Sequence, residues 1–266
     1  MYDLIPIIGI IAFALVEVGF FCRFELKSEV KFQYTQGMDM GRLFVFLPGL
    51  VAGGEENSDV FFNTMQEKGC VLQVSPIGAR FRKKQIVKVT KKWLKRYHKR
   101  HRPHNFEVVF VGSSLGGLLA NDTYIKLSRW WRCRGRFSFV IIDCPVGRND
   151  LLKPMGTLSR VVGFMRPFTF PLCWIKINGF SLTYWADQIH YLSNHQPLKG
   201  LSLQDCTVVF VKSIYDKFVS YRSIDSWIKA SGYGMYLAEA FSQHAGFHEV
   251  PYEWEGLFEI IMPYVC

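Results

Sequence analysis

The chain has 266 residues, of which 49% are hydrophobic and 20% are charged, and this composition excludes a disordered, collagen-like or coiled-coil protein. Its length suits one α/β domain or two smaller domains. Lys and Arg number 32 against 22 Asp and Glu, which gives a formal net charge of +10. Such an excess favours an acidic partner surface, either nucleic acid or anionic lipid, and carries no information about the fold.

The first segment of the chain is strongly apolar. Residues 4–22 read LIPIIGIIAFALVEVGFFC and contain one charge, Glu17. As a helix, this segment would be about 28 Å long, close to the roughly 30 Å of a bilayer core. Lys and Arg follow it and none precedes it, so residues 1–29 are predicted to be a membrane anchor, with the rest of the chain on the cytoplasmic side.

A second interpretation of the same segment places it inside the fold. Glu17 and the alternation of apolar and charged residues over 20–27 favour a buried helix or a first strand that begins within it. The protein would then be soluble and cytoplasmic. Both interpretations agree with the cysteines, since the seven form no C-x-x-C pair and favour free thiols in a reducing compartment over a zinc site.

Beyond residue 30, apolar runs follow each other at the spacing of alternating strands and helices. Strands are predicted over 42–47, 70–74, 106–111, 137–142 and 207–211. Helices are predicted over 58–68 and 81–101, from Leu115 onward and from near Tyr252 onward. The pattern predicts an α/β fold with a mostly parallel central sheet and helices on both faces.

The sequence G-x-S-x-G occurs once in a favourable context, at residues 112–116. A β-rich run leads into it, and a run of small and aliphatic residues leads out of it. In such a strand-to-helix turn the serine hydroxyl is presented at the edge of the sheet, and the glycines leave room for the tight turn. The helix N-terminus also offers backbone N–H groups to a developing oxyanion. Ser114 is therefore the predicted nucleophile.

With these residues in place, the chain over 30–266 resembles the α/β-hydrolase family. The family's catalytic residues follow the order Ser, acid, His along the chain. The resemblance implies that Asp216, after the last predicted strand, is the acid, although some relatives place the acid after the preceding strand, where Asp143 stands. It also implies that His244 is the general base, because a Glu five residues later and a Pro seven residues later match many relatives.

The resemblance further implies two backbone donors for the oxyanion. One is the N–H of Leu115, immediately after the nucleophile. The other is assigned to Leu50, in the loop after the strand at 42–47. Many relatives carry His-Gly in that loop, whereas this chain has Pro48-Gly49, so the glycine is kept and the histidine is replaced.

Residues 146–200 interrupt the alternation where the family inserts a lid. Eight aromatic residues lie between Phe164 and Tyr191, and an apolar cap over a serine site suits a lipophilic substrate. The alternative is that most of these rings pack the cap against the core.

A strongly basic helix is the last feature of the sequence. Twelve of the 32 Lys and Arg residues lie between Arg80 and Arg102. No zinc finger, RNP motif or helix-turn-helix pattern accompanies them, so nucleic acid is not the expected partner. Attraction to an anionic membrane surface is one interpretation, and a merely solvated basic face is the other.

The expected function is a serine hydrolase that cleaves carboxylic esters with a lipophilic part and needs no metal or organic cofactor. Thioesters or amides remain open as substrates, because the acyl-enzyme chemistry is the same. A different class also remains open, namely a catalytically silent hydrolase fold that serves as a membrane interaction module.

Overall fold

The computed structural model describes residues 28–39, 41–49, 59–78, 81–101, 106–127, 135–145, 150, 157, 161, 176–177, 180–194, 206–220, 235–241 and 251–265. The apolar segment 4–22 lies outside them. Among the helices they contain, none is long and apolar enough to cross a membrane.

The described residues form a seven-stranded sheet. Its strands are β1 (Ser28–Thr35), β2 (Arg42–Leu47), β3 (Cys70–Gly78), β4 (Glu107–Ser113), β5 (Arg136–Ile142), β8 (Cys206–Ser213) and β9 (Met235–Ala240). Their order across the sheet is β1-β3-β2-β4-β5-β8-β9. The edge strand β1 runs antiparallel to β3, and all other neighbours in the sheet are parallel.

The described part of the chain contains five helices beside the sheet. They are α1 (Asp59–Lys68), α2 (Lys83–His101), α3 (Leu115–Lys126), α4 (Leu182–Asn194) and α5 (Pro251–Val265). A two-stranded hairpin of β6 (Lys176–Ile177) and β7 (Phe180–Ser181) precedes α4. The hairpin and α4 both fall between β5 and β8, in the segment that interrupts the alternation of the sequence.

Side chains of the central strands alternate between two cores, because successive residues of a strand point to opposite faces. Leu43 and Val45 belong to a core that also contains residues of α2, α3 and α4. Phe44 and Phe46 belong to a second core, with Met65 of α1 and residues of α5. Both faces of the sheet are therefore covered, which explains why its parallel strands read as continuous apolar runs.

The predicted fold class is confirmed, and the predicted parallel strands and flanking helices are present within a few residues of their expected bounds. Two strands of the seven-stranded sheet, and the short strands β6 and β7, were not predicted at these bounds. The edge strand β1 follows the alternating segment 20–27, which lies outside the described residues, and β9 forms the other edge of the sheet.

Candidate active site

The residues predicted to carry chemistry follow three neighbouring parallel strands. Ser113 at the end of β4 pairs with Ile142 of β5, and Ile142 pairs with Val211 of β8. The carboxyl ends of the three strands therefore lie side by side. Residues that follow them are brought to one edge of the sheet, which is where open α/β sheets bind their ligands.

Ser114 occupies the sharp turn between β4 and α3. Its backbone has φ 48° and ψ −115°, in a region that non-glycine residues rarely adopt. Its N–H donates a 2.6 Å hydrogen bond to the carbonyl of Ile142, which fixes the turn against β5. Serine is a favoured N-cap residue, yet this side chain makes no capping hydrogen bond to α3. The Ser114 hydroxyl is therefore not used to cap its own helix.

Two glycines of the motif are required by close backbone contacts. A Cβ at Gly116 would lie 1.8 Å from the carbonyl oxygen of Leu47, the last residue of β2. A Cβ at Gly112 would lie 2.5 Å from the backbone nitrogen of Gly117. The first turn of α3 therefore packs directly on the end of β2, and this contact holds Ser114 in place.

The predicted oxyanion donors flank the same turn. Leu115 is the first residue of α3, so its N–H has no partner within the helix. Gly49 ends the described part of the β2 loop, and a Cβ added to it would lie 3.4 Å from the Cβ of Ser114. That loop therefore passes over the turn one residue before Leu50, which lies outside the described residues.

Asp216 lies in a turn three residues after the end of β8. Its Oδ1 accepts hydrogen bonds from the backbone N–H groups of Phe218, at 2.7 Å, and Val219, at 3.0 Å. Its own N–H donates to the carbonyl of Ser213. One carboxylate oxygen is thus held by the turn itself, and the side chain is only partly exposed.

Asp143, the second predicted acid, is completely buried at the end of β5 and has φ 48°. One carboxylate oxygen accepts from the N–H of Ser213 at 2.7 Å, and the other accepts from its hydroxyl at 2.6 Å. Its N–H donates to the carbonyl of Val211. Asp143 therefore joins the ends of β5 and β8, a contact that the sequence analysis did not foresee.

Cys144 is a nucleophilic residue that the sequence analysis did not single out. It is fully buried, and burial, with added repulsion from Asp150 and Asp143, raises the pKa of its thiol well above the ordinary value. The protonated thiol is a poor nucleophile. Cys144 instead packs under α3, since a Cβ at Gly117 would lie 2.9 Å from its Sγ.

The inserted segment contributes α4, which packs beside α2 and α3. The Tyr191 hydroxyl donates a 2.7 Å hydrogen bond to Asp122 of α3, and the ammonium group of Lys83 lies 3.0 Å from the same carboxylate oxygen. Tyr184 and Tyr191 both contact the ring of Phe81. For these two rings the core-packing interpretation is correct. Most other residues of 146–200 lie outside the described part of the chain.

His244 also lies outside the described residues, and the structure places Ser114, Leu115 and the two acids after neighbouring strands at one edge of the sheet. No group of three or more His, Cys, Asp or Glu side chains within the described ranges could hold a metal ion.

No protein-family model matches the sequence, and no curated protein matches it. Solved structures do match. A protein named as a non-heme bromoperoxidase of Mycobacterium tuberculosis is 12% identical, with a TM-score of 0.62 over 90% of this chain and 97% of that chain. An esterase of Thermogutta terrifontis is 11% identical, with a TM-score of 0.58 over 90% and 95%.

A structure from a study of carboxylesterases of Nitrososphaera gargenis is 14% identical, with a TM-score of 0.58 over 89% of this chain and 94% of that chain. These likenesses extend over nearly the whole of each chain, and they agree with the order and direction of the strands described above. The chain therefore has the α/β-hydrolase fold.

Proposed function

We propose that this protein is a serine hydrolase that cleaves carboxylic esters with a lipophilic acyl or alcohol part. The observation that carries the proposal is the backbone of Ser114. A strained turn of this kind costs about 1–3 kcal/mol and persists where the surrounding structure enforces it, commonly at active sites. Here the enforcing contacts are the packing of α3 on β2 and the hydrogen bond to Ile142.

In the proposed reaction, the Ser114 Oγ attacks the ester carbonyl while His244 accepts the hydroxyl proton. The carbonyl oxygen becomes an oxyanion, which accepts hydrogen bonds from the N–H groups of Leu115 and Leu50. Collapse of this intermediate breaks the bond to the alcohol, which leaves with the proton from His244. Water then attacks the acyl-enzyme by the same route and releases the carboxylic acid.

We assign Asp216 as the acid, as the resemblance to the family implies. Its turn fixes one carboxylate oxygen with two backbone N–H groups, and this sets the direction of the carboxylate. In Asp143, both oxygens accept hydrogen bonds from Ser213. The acid must orient an imidazole and stabilise its charged form. Both carboxylates have further contacts, so the assignment rests on the position of Asp216 after β8, the strand that follows the inserted segment.

The path of the chain supports His244 as the base. β9 is parallel to β8, and its last residue, Ala240, pairs with Ser213. In addition, the N–H of Ile214 donates to the carbonyl of Ala240. β9 therefore ends at the same edge of the sheet as β8, which Asp216 follows. Its last residue, Ala240, precedes His244 by four residues in the sequence.

The substrate class rests on the composition of the inserted segment and on the structural neighbours. Residues 146–200 are rich in aromatic side chains, and binding sites for apolar molecules are lined mainly by such groups. Two of the matched structures are described as an esterase and as coming from work on carboxylesterases. Thioesters and amides use the same acyl-enzyme chemistry and are the substrates to compare.

The test is labelling of the folded protein by a fluorophosphonate, which reacts with activated serines. Ser114→Ala should abolish labelling and lower ester turnover by about 10⁴-fold or more. Ser113→Ala is the matched control, because Ser113 is the adjacent, equally small and buried serine, and it should keep its labelling. Labelling that survives in Ser114→Ala would refute the assignment. Absence of labelling in the folded wild type would favour the catalytically silent module.

A further inference from the structure

The outer face of α2 consists entirely of cations. Within residues 81–101, every side chain that is exposed to solvent belongs to lysine or arginine. The helix has no acidic residue along its length. These eight residues, here called the basic face, are Arg82, Lys84, Lys88, Lys92, Lys95, Arg96, Lys99 and Arg100.

The geometry of the helix separates this face from the core. Its buried residues are Ile86, Val87, Thr90, Leu94 and Tyr97. At about 100° per residue, the basic face spans an arc of roughly 160° centred opposite to them. The helix has 19 residues, so the face extends for about 28 Å at 1.5 Å per residue. The charges therefore form one long, outward-facing stripe.

The ion pair and the hydrogen bond that α2 lysines make to α3 within the described residues do not involve the basic face. The ion pair that α2 makes among the described residues joins Lys83 to Asp122, on the side that faces α3 and α4. The Lys91 ammonium group donates to the carbonyl of Lys126, also beside α3. Neither lysine belongs to the basic face. Because cations four residues apart on a helix repel each other, an anionic partner would stabilise the face.

The basic face carries positive charge but no aromatic side chain on which a nucleic-acid base could stack. Trp93 and Tyr97 of α2 stack on each other at 5.4 Å, and both rings contact Tyr34 of β1, so they pack on the sheet side of the helix. Proteins that bind single-stranded nucleic acid combine a basic groove with aromatic rings on which bases stack. A lipid leaflet with anionic headgroups requires only a positive surface.

The start of β1 gives a second, independent indication of a membrane. Ser28 pairs with Gly78 at the end of β3, and α2 begins at Lys83, five residues after Gly78. The chain therefore enters the sheet beside the first turn of α2. In the sequence, the apolar run 4–22 ends six residues before Ser28. An apolar run so close in the sequence to the strand beside α2 favours a membrane surface over a nucleic acid.

We propose that the basic face of α2 is a docking surface for a membrane leaflet that contains anionic lipid. The phosphate and carboxylate headgroups would contact the stripe along its length and hold α2 parallel to the membrane. This inference concerns binding alone and stands independently of the proposed ester chemistry. It also differs from the membrane-anchor prediction, because it requires anionic lipid and is weakened by salt.

The test measures binding of the full chain to phosphatidylcholine vesicles with and without about 30% phosphatidylserine, at about 0.15 M salt. The quantity of interest is the ratio of the two affinities, since any apolar insertion of residues 4–22 contributes to both vesicles. The double variant Lys88→Gln/Lys92→Gln should lower this ratio by about 25-fold, or about 5-fold for each cation removed.

A matched control removes two exposed cations elsewhere. Lys68 ends α1 on the opposite side of the sheet, and Arg136 begins β5 at the amino edge. The variant Lys68→Gln/Arg136→Gln has the same net charge as the α2 variant, and it should keep at least half of the wild-type ratio. All four positions are exposed, so equal unfolding midpoints should show that each variant folds.

Three results would overturn the proposal. One is an equal affinity of the wild type for neutral and anionic vesicles. Another is an equal loss in the α2 variant and the matched control. The third is a single-stranded RNA that binds the wild type more tightly than the anionic vesicles at equal phosphate concentration and depends on Lys88 and Lys92. That third result would assign the basic face to nucleic acid.

Discussion

Replacement of Gly116 by alanine tests the packing that supports the candidate nucleophile. An alanine Cβ would lie 1.8 Å from the carbonyl oxygen and 2.6 Å from the carbonyl carbon of Leu47. Ordinary contact begins at 3.4 Å, so the shortfall is 3.4 − 1.8 = 1.6 Å. Both contacted atoms are backbone, and no side chain can rotate away. The start of α3 and the end of β2 must therefore separate.

The helix preference of alanine over glycine, about 0.8–1.0 kcal/mol, would by itself stabilise the variant. Overpacking of a close contact costs about 1–3 kcal/mol and occasionally more. Because the whole first turn of α3 must shift, we expect Gly116→Ala to lower the free energy of unfolding by about 2 kcal/mol or more. Fluorophosphonate labelling of Ser114 should slow as well, since the same shift moves the turn and the N–H of Leu115.

Gly256 supplies the matched control, because it lies within α5 and a Cβ there would meet nothing within 4 Å. Gly256→Ala should raise the free energy of unfolding by about 0.5–1 kcal/mol. Gly117→Ala should fall between the two, since its Cβ would meet the side chains of Ile141 and Cys144, which can move. Urea denaturation measures all three. Equal changes for Gly116→Ala and Gly256→Ala would refute the contact between α3 and β2.

Two further predictions concern ionisable groups. Asp216→Asn should lower ester turnover by about 10⁴-fold with little loss of stability. Asp143→Asn should mainly lower the free energy of unfolding, by about 1–3 kcal/mol. A larger loss of turnover in Asp143→Asn than in Asp216→Asn would exchange their roles. Burial, and then its hydrogen bond to Cys70, raises the pKa of Tyr34 from 10.0 to about 12. Because the folded state binds this proton more tightly, its stabilising contribution is complete below about pH 10 and is lost as the pH rises through 12. In a pH titration, tyrosinate absorbance should therefore rise in two stages, and Tyr34→Phe should reduce the stage at higher pH. A single rise near pH 10 would contradict this prediction.

The central strands could be predicted because burial on both faces leaves a simple trace in the sequence. β2, β4, β5 and β8 are almost entirely buried, and their residues read as mostly apolar runs, with few polar residues such as Ser138 of β5. The edge strands lack this trace. β1 alternates apolar residues with polar ones such as Lys31 and Gln33, and β9 carries Glu239, which pairs with Lys212 of β8. Burial on one side leaves an edge strand with only this alternation, which predicts a strand less clearly than a long apolar run does.

The candidate nucleophile could be predicted because the glycines that permit its turn lie within the motif itself. The contacts of that turn with Leu47 and Ile142 required the structure. The pairing of Asp143 with Ser213 joins residues 70 positions apart. It depends on β8 lying next to β5, although 63 residues separate the two strands in the sequence. Neither Asp nor Ser carries a pattern that specifies such a partner, so this contact required the structure.

The contacts of Ser213 suggest why two acids stand at the ends of neighbouring strands. Asp143 binds the N–H and the hydroxyl of Ser213, and the carbonyl of Ser213 accepts the N–H of Asp216. The buried carboxylate thus holds the residue from which the turn of Asp216 begins. A turn fixed at its base loses less freedom when its carboxylate orients a histidine, which is how a preorganised site lowers the cost of reaching the transition state. In the proposed mechanism, Asp216 is therefore the acid, and Asp143 supports the turn that positions it.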